Sequence, residues 1–144
     1  MPVRDLIRNR ATQQGDRVAV QTVDGAAFTY GAAHQLALAA GEFATRCGMG
    51  PGDRVAVALP NSLDYIVWLF ALLQGGATAV PVDPRLPAAE GDALLQDAGC
   101  RFRVLSADAA PASAAWRTVG ESGTCRIERR DEARVFPAGS HGYP

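Results

Sequence analysis

The sequence predicts an α/β fold: a partial doubly wound, mainly parallel sheet with flanking helices and a small hairpin at the N-terminus. Three observations carry this. From Asp53 to Leu105 the apolar pattern alternates strand, helix, strand, helix, strand, the order that gives right-handed crossovers and a parallel sheet. Asp53-Arg54-Val55-Ala56-Val57-Ala58-Leu59 has almost no polar interruption, as suits a strand covered on both faces. Asp24-Gly25 stands between two short strand-like runs, a hairpin signal.

The elements follow in order. Val3 to Gln14 places Leu6, Ile7 and Ala11 near one face of a short helix that ends near Gly15. Arg17 to Thr22 and Ala27 to Tyr30 are the hairpin strands. Thr29 suits an N-cap for a helix from Gly31 to Arg46, whose apolar residues Leu36, Ala40, Phe43 and Ala44 recur at helical spacing. Gly48 stops it as a C′ glycine does. Pro51-Gly52 is a turn. Pro60-Asn61-Ser62 breaks the next strand and caps a helix from Leu63 to Gln74, apolar nearly all round and so expected to be buried, with Tyr65, Trp68 and Phe70 in the core. Gly75-Gly76 ends that helix. Thr78 to Val82 is a strand closed by Asp83-Pro84, Ala88 to Ala98 a helix, and Arg101 to Leu105 a strand. Beyond Leu105 the pattern degrades. Ser106 to Ala115 is alanine-rich, Trp116 to Thr124 alternates weakly, and Arg126 to Arg134 is charged. The expected organisation is one domain over 1–132 and a tail over 133–144 that is poorly ordered in isolation.

Composition narrows the chemistry. The chain has 144 residues and a net charge of −1, and its 14 basic residues are all arginine. Without lysine, no side-chain Schiff base forms and the complete phosphate-loop signature G-x-x-x-x-G-K-[ST] is ruled out. A chain of this length buries about 68–70% of its unfolded surface, enough for a core. Near-zero net charge gives no support for nucleic-acid binding. The longest apolar run, Tyr65 to Leu73, is far short of the ~18 residues of a membrane span. With no secretory pattern at the N-terminus, a cytoplasmic setting is expected. Cys47, Cys100 and Cys125 are widely spaced and odd in number, which suits reduced thiols rather than a disulfide framework or zinc site. They read as small apolar core residues. His34 has no neighbour with which to form a catalytic pair. Asp83 sits at a strand's carboxyl end, where α/β sheets bind ligands, although a turn or cap role accounts for it better.

Several pieces, in order, resemble the beginning of the acyl-adenylate-forming superfamily: acyl-CoA synthetases, adenylation domains of nonribosomal peptide synthetases, and luciferase. Phe28-Thr29-Tyr30 with Leu36 and Ala40 resembles the first core motif of that family. Gly48-Met49-Gly50-Pro51-Gly52-Asp53-Arg54-Val55-Ala56-Val57 resembles its G-x-x-P-G-D-x-V-A strand entry, and Leu59-Pro60-Asn61-Ser62 follows at the family's spacing. Leu73-Gln74-Gly75-Gly76-Ala77-Thr78-Ala79-Val80-Pro81-Val82-Asp83-Pro84 resembles the second core motif, and Asp97-Ala98-Gly99-Cys100-Arg101 its continuation. The resemblance covers most of this chain and only the opening part of a full family member. Taken as residues alone, these pieces have structural roles: turns, helix stops and strand ends.

The resemblance implies ATP-dependent activation of a carboxylate, with magnesium, followed by transfer to a thiol. The family holds polyphosphate partly in a Ser/Thr/Gly-rich loop ending Pro-Lys-Gly, whose backbone N–H groups can form a nest. Pro137 to Pro144 aligns with T-S-G-[ST]-T-G-x-P. Gly139, Ser140, Gly142 and Pro144 match, whereas Pro137, Ala138 and His141 remove three hydroxyls, so a degenerate phosphate loop with Gly139, Ser140 and Gly142 as remnant cofactor contacts is expected. The family's lysine falls just beyond Pro144. The later adenine, magnesium and ribose segments and the C-terminal catalytic lysine are also missing, so no catalytic residue, metal ligand or working cofactor site is expected in the isolated chain. Two readings follow. One is an N-terminal piece of an adenylate-forming ligase, inactive alone, whose partner is the remainder of a split enzyme or a carrier protein. The other is a non-catalytic interaction protein on the same scaffold, including a homo-oligomer.

Overall fold

The computed structural model describes residues 5–110 and 115–130. Helix α1 (Leu6–Gln14) leads to strands β1 (Val18–Gln21) and β2 (Ala27–Thr29), paired antiparallel as a separate two-stranded sheet. Gly25 takes a φ of +95° at the turn, a conformation that favours glycine. The Asp24 carboxylate accepts from the Thr22 hydroxyl and the Ala26 N–H, which lowers its pKa. The side chains of Leu6 and Ile7 lie outside the described residues.

Helix α2 (Tyr30–Arg46) starts where Thr29 Oγ1 accepts from Ala32 N at 3.1 Å. It stops at Gly48, with a φ of +97°, and Met49 N reaches back to Ala44 O at 3.1 Å. Strand β3 (Arg54–Ala58), helix α3 (Leu63–Gln74), strand β4 (Thr78–Pro81), helix α4 (Ala88–Asp97) and strand β5 (Phe102–Ser106) form the alternating unit read from the sequence. Strands β6 (Arg117–Glu121) and β7 (Cys125–Arg129) complete a five-stranded sheet in the order β4-β3-β5-β7-β6.

The chain leaves β3 in one direction to β4 and returns past β3 to β5. Right-handed crossovers then place α3 and α4 on opposite faces. Two cores agree with that. On one face Ala44 and Cys47 at the end of α2 and Trp68 and Leu72 of α3 pack on Val55, Val57, Phe102, Val104 and Ile127. On the other, Leu95 of α4 packs with Ala56, Cys100 and Trp116. The doubly wound arrangement, the flanking helices and the hairpin stand as the sequence predicts.

The sheet is mixed, however. β3 pairs parallel with β4 and β5, whereas β5–β7 and β6–β7 are antiparallel. The β6–β7 hairpin occupies sequence that the apolar pattern leaves unassigned. In β7 Cys125 and Ile127 enter the first core, while Arg126 and Glu128 face the other way and are nonetheless buried. Glu128 receives Arg103 Nε at 2.6 Å and Arg126 Nε at 3.0 Å. Arg126 also donates to the carbonyls of Ala107, Ala109 and Ala110 at 3.4, 3.2 and 2.6 Å. Asp92 of α4 takes Arg103 Nη1 at 3.2 Å and Trp116 Nε1 at 3.1 Å, tying the helix to the sheet. The guanidiniums of Arg103 and Arg130 lie 4.3 and 4.8 Å from the Trp116 ring centroid.

β6 carries a register irregularity between Thr118 and Gly120, and its backbone at Gly120 lies against Phe43 and Cys47 at the end of α2. A Cβ on Gly120 would lie 2.5 Å from Cys47 Sγ and 3.0 Å from Phe43 Cζ, so only glycine allows that approach.

All three cysteines are free and buried. Burial raises each thiol pKa, that of Cys100 from 9.0 to about 11. A raised folded-state pKa favours the neutral thiol of the folded protein. The corresponding stability is therefore full below pH 9 and falls as pH rises towards 11. Two pH units at one thiol amount to about 2–3 kcal/mol. We expect the urea midpoint to drop between pH 9 and 11, and Cys100→Ala to flatten that drop. An equally steep drop in the variant would assign it to other groups.

Candidate functional site

A crevice of about 550 Å3 lies at the sheet's carboxyl edge, at the ends of β3 and β4. Its floor and walls come from Leu59 and Pro60 after β3, Pro81, Val82 and Pro84 around the end of β4, and Tyr65 of α3. Sequence explains the geometry. Pro60 ends β3, and Ser62 starts α3 by accepting from Tyr65 N at 3.3 Å while donating to Pro60 O at 2.9 Å. Pro81 and Pro84 bracket the end of β4. The topological switch lies one strand away, between β3 and β5, so the crevice sits beside it.

Asp83 is placed at the crevice mouth but is already engaged. Its carboxylate accepts from Arg85 N at 2.9 Å, Arg85 Nε at 3.1 Å and Arg85 Nη2 at 3.0 Å. The Arg85 guanidinium lowers the Asp83 pKa, and Asp83 raises that of Arg85. The expected turn role of Asp83 is what these bonds describe. Arg85 lines the crevice with its charge paired.

Tyr65 departs from its expected place. It is half-buried, packed against the core on one side and open to the crevice on the other. Its apolar neighbours on α3 hid that in the sequence. Phe70 is also half-buried, whereas Trp68 is core. His34 is half-buried on α2, with Nδ1 buried and unpartnered. Gly139, Ser140 and Gly142 lie outside the described residues.

The described donor set does not fit a nucleoside triphosphate with magnesium. A polyphosphate needs several unengaged cations and donors. The crevice offers Arg85, held by Asp83, together with Asn61 and the Tyr65 hydroxyl. No group of three metal-ligating side chains exists among the described residues. No helix among them is long and apolar enough to cross a membrane.

A doubly wound layer with a crevice at the carboxyl ends of parallel strands defines an α/β subdomain of the kind that places ligands at that edge. The chain belongs to the AMP-binding enzyme family, whose model matches residues 7–138. It is 39% identical over 99 residues to phosphinothricin tripeptide synthetase PhsB of Streptomyces viridochromogenes, covering 67% of this chain and 8% of that protein. It is 33% identical over 107 residues to long-chain-fatty-acid–CoA ligase FadD13 of Mycobacterium tuberculosis, covering 74% of this chain and 21% of that protein. The N-terminal domain of FACL13 from Mycobacterium tuberculosis superposes with a TM-score of 0.70 and 31% identity, over 77% of this chain and 29% of that one. The chain thus spans only 8% and 21% of those two relatives and corresponds to the N-terminal portion of the family's enzymes.

Proposed function

We propose that the chain is the N-terminal piece of an ATP-dependent ligase that activates a carboxylate as an acyl- or aminoacyl-adenylate, and that these 144 residues are inactive alone. The ordered series of family-like segments supports this reading. The first of those segments runs from β2 into α2, and the others follow through the β3–α3–β4–α4–β5 unit, with its loops at one wall of the crevice. In-line attack on the α-phosphate requires the polyphosphate to be held and its charge offset. The crevice residues do neither, because Arg85 is committed to Asp83. Gly139, Ser140 and Gly142 are proposed remnants of the phosphate loop, in a tail over 133–144 that follows a 1–132 subdomain. ATP and magnesium act in the complete enzyme, where they supply the leaving pyrophosphate and offset its charge. Pyrophosphate exchange by the purified chain, with a broad panel of carboxylic acids, tests inactivity. No exchange above background is expected. Clear exchange with any acid overturns it.

A second reading has its own observation. α3 is apolar nearly all round, yet only Val67, Trp68, Ala71 and Leu72 are buried. Leu73 is 37% exposed, and Ile66 and Phe70 are half-buried. An apolar stripe left partly exposed by the described residues favours a protein partner: the remainder of a ligase, a carrier protein or a second copy. Size-exclusion chromatography with light scattering tests the last of these. A strict monomer across a wide concentration range excludes the second copy.

A further inference from the structure

A second concavity, sharing no lining residue with the crevice, lies between the N-terminal hairpin and α3. It encloses about 320 Å3 and is lined by Arg10 of α1, Ala19 and Val20 of β1, Tyr30 and Ala33 of α2, and Ile66 and Phe70 of α3. Its body is apolar. Ile66 and Phe70 are one turn apart on α3, and Ala33 is fully packed at 3% exposure. Two donors line it. The Arg10 guanidinium bonds Gln14 Oε1 at 3.3 Å and pairs with no carboxylate among the described residues. The Tyr30 hydroxyl has no hydrogen-bond partner among them. Apolar walls with a few polar groups are the usual composition of a small-molecule site.

We propose that this groove binds a small amphiphile with an anionic head group, the head on Arg10 and Tyr30 and the apolar body against Val20, Ile66 and Phe70. Charge decides the head. A cation that pairs with no described carboxylate, lining one groove with a neutral donor, accepts an anion and rejects a second cation. Volume decides the body. An apolar cavity of ~150 Å3 holds benzene, so about 320 Å3 holds a body of roughly ten carbons. The site is non-catalytic. Its occupancy neither requires nor tests adenylate formation, so each proposal can fail alone.

The test titrates decanoate, below its micellar concentration, into the full 144-residue chain, followed by calorimetry and amide chemical shifts. Saturable one-to-one binding is expected, with shifts concentrated at Val20, Tyr30, Ala33, Ile66 and Phe70. Decanol, which lacks the charge, should bind about ten-fold more weakly, as should decanoate to Arg10→Gln, since a hydrogen bond to a charged group is being lost. Ala19→Phe should fill the groove and abolish binding. If Ala19→Phe fails to fold, Tyr30→Phe, with an expected several-fold loss, takes its place. The proposal is overturned by absence of saturable binding, by shifts elsewhere, or by equal affinity in the wild type and Arg10→Gln.

Discussion

Replacing Glu128 with alanine is expected to destabilise the protein by about 3–5 kcal/mol. Glu128 is 0% exposed, and each carboxylate oxygen is taken by a different guanidinium, Arg103 on Oε1 and Arg126 on Oε2. Its removal leaves Arg126, 7% exposed, with no carboxylate among the described residues, and Arg103, 14% exposed, with Asp92 alone. The cost comes from the uncompensated charge on Arg126 and the weakened pairing of Arg103 rather than from the intrinsic worth of the ion pairs. Set against a typical stability of about 5–15 kcal/mol, the loss is large. Glu128→Gln keeps the shape but turns an amide N–H₂ towards one guanidinium, so it should fall between the wild type and Glu128→Ala. Arg126→Leu should fail differently. It removes one charge and also strips the donor from three carbonyls after β5. Urea unfolding measures all three. A Glu128→Ala loss below about 1 kcal/mol would show that water or rearranged carbonyls satisfy the arginines.

The same residues explain why two of the five strands were not legible. β3 reads as a strand because Val55, Ala56 and Val57 are apolar on both faces, and both faces are covered. The caps at Thr29 and Ser62 and the stop at Gly48 are local chemistry, visible in a few adjacent residues. β7 is different. Its sequence, Cys125-Arg126-Ile127-Glu128-Arg129, alternates apolar with charged residues and reads as a half-solvated segment. The charges are buried because Arg103 stands opposite Glu128, 25 positions earlier in the chain. Hydropathy cannot register a partner at that separation. The site divides likewise. The turn role of Asp83 follows from Asp83-Pro84 and is borne out by three bonds to Arg85. The crevice depends on how the β3 and β4 loops meet Tyr65, which is tertiary geometry. It also falsifies the expectation that an all-round apolar α3 is buried all round. That helix covers the sheet with one face and lines two concavities with the others.

Trp68 is the residue on which that geometry hangs, and Trp68→Ala is expected to cost about 3–5 kcal/mol. It is 4% exposed, meets Phe43 edge-to-face at 6.4 Å and 68°, and shares its core with Cys125. It therefore joins α2, α3 and β7 at one point in the first core. Tyr65 lies one turn before it on α3, so loosening Trp68 loosens the crevice wall as well. A global loss of stability alone would not locate the effect, but the thiols do. Cys125 shares the Trp68 face of the sheet, whereas Cys100 lies in the second core, under α4. In the folded variant, Cys125 should react faster with a thiol reagent than in the wild type, while Cys100 keeps its slow rate. Trp116, the remaining tryptophan, reports unfolding by fluorescence in the same samples. Equal acceleration at both cysteines would mean that the two cores open together, and that Trp68 supports the whole sheet rather than its α3 face.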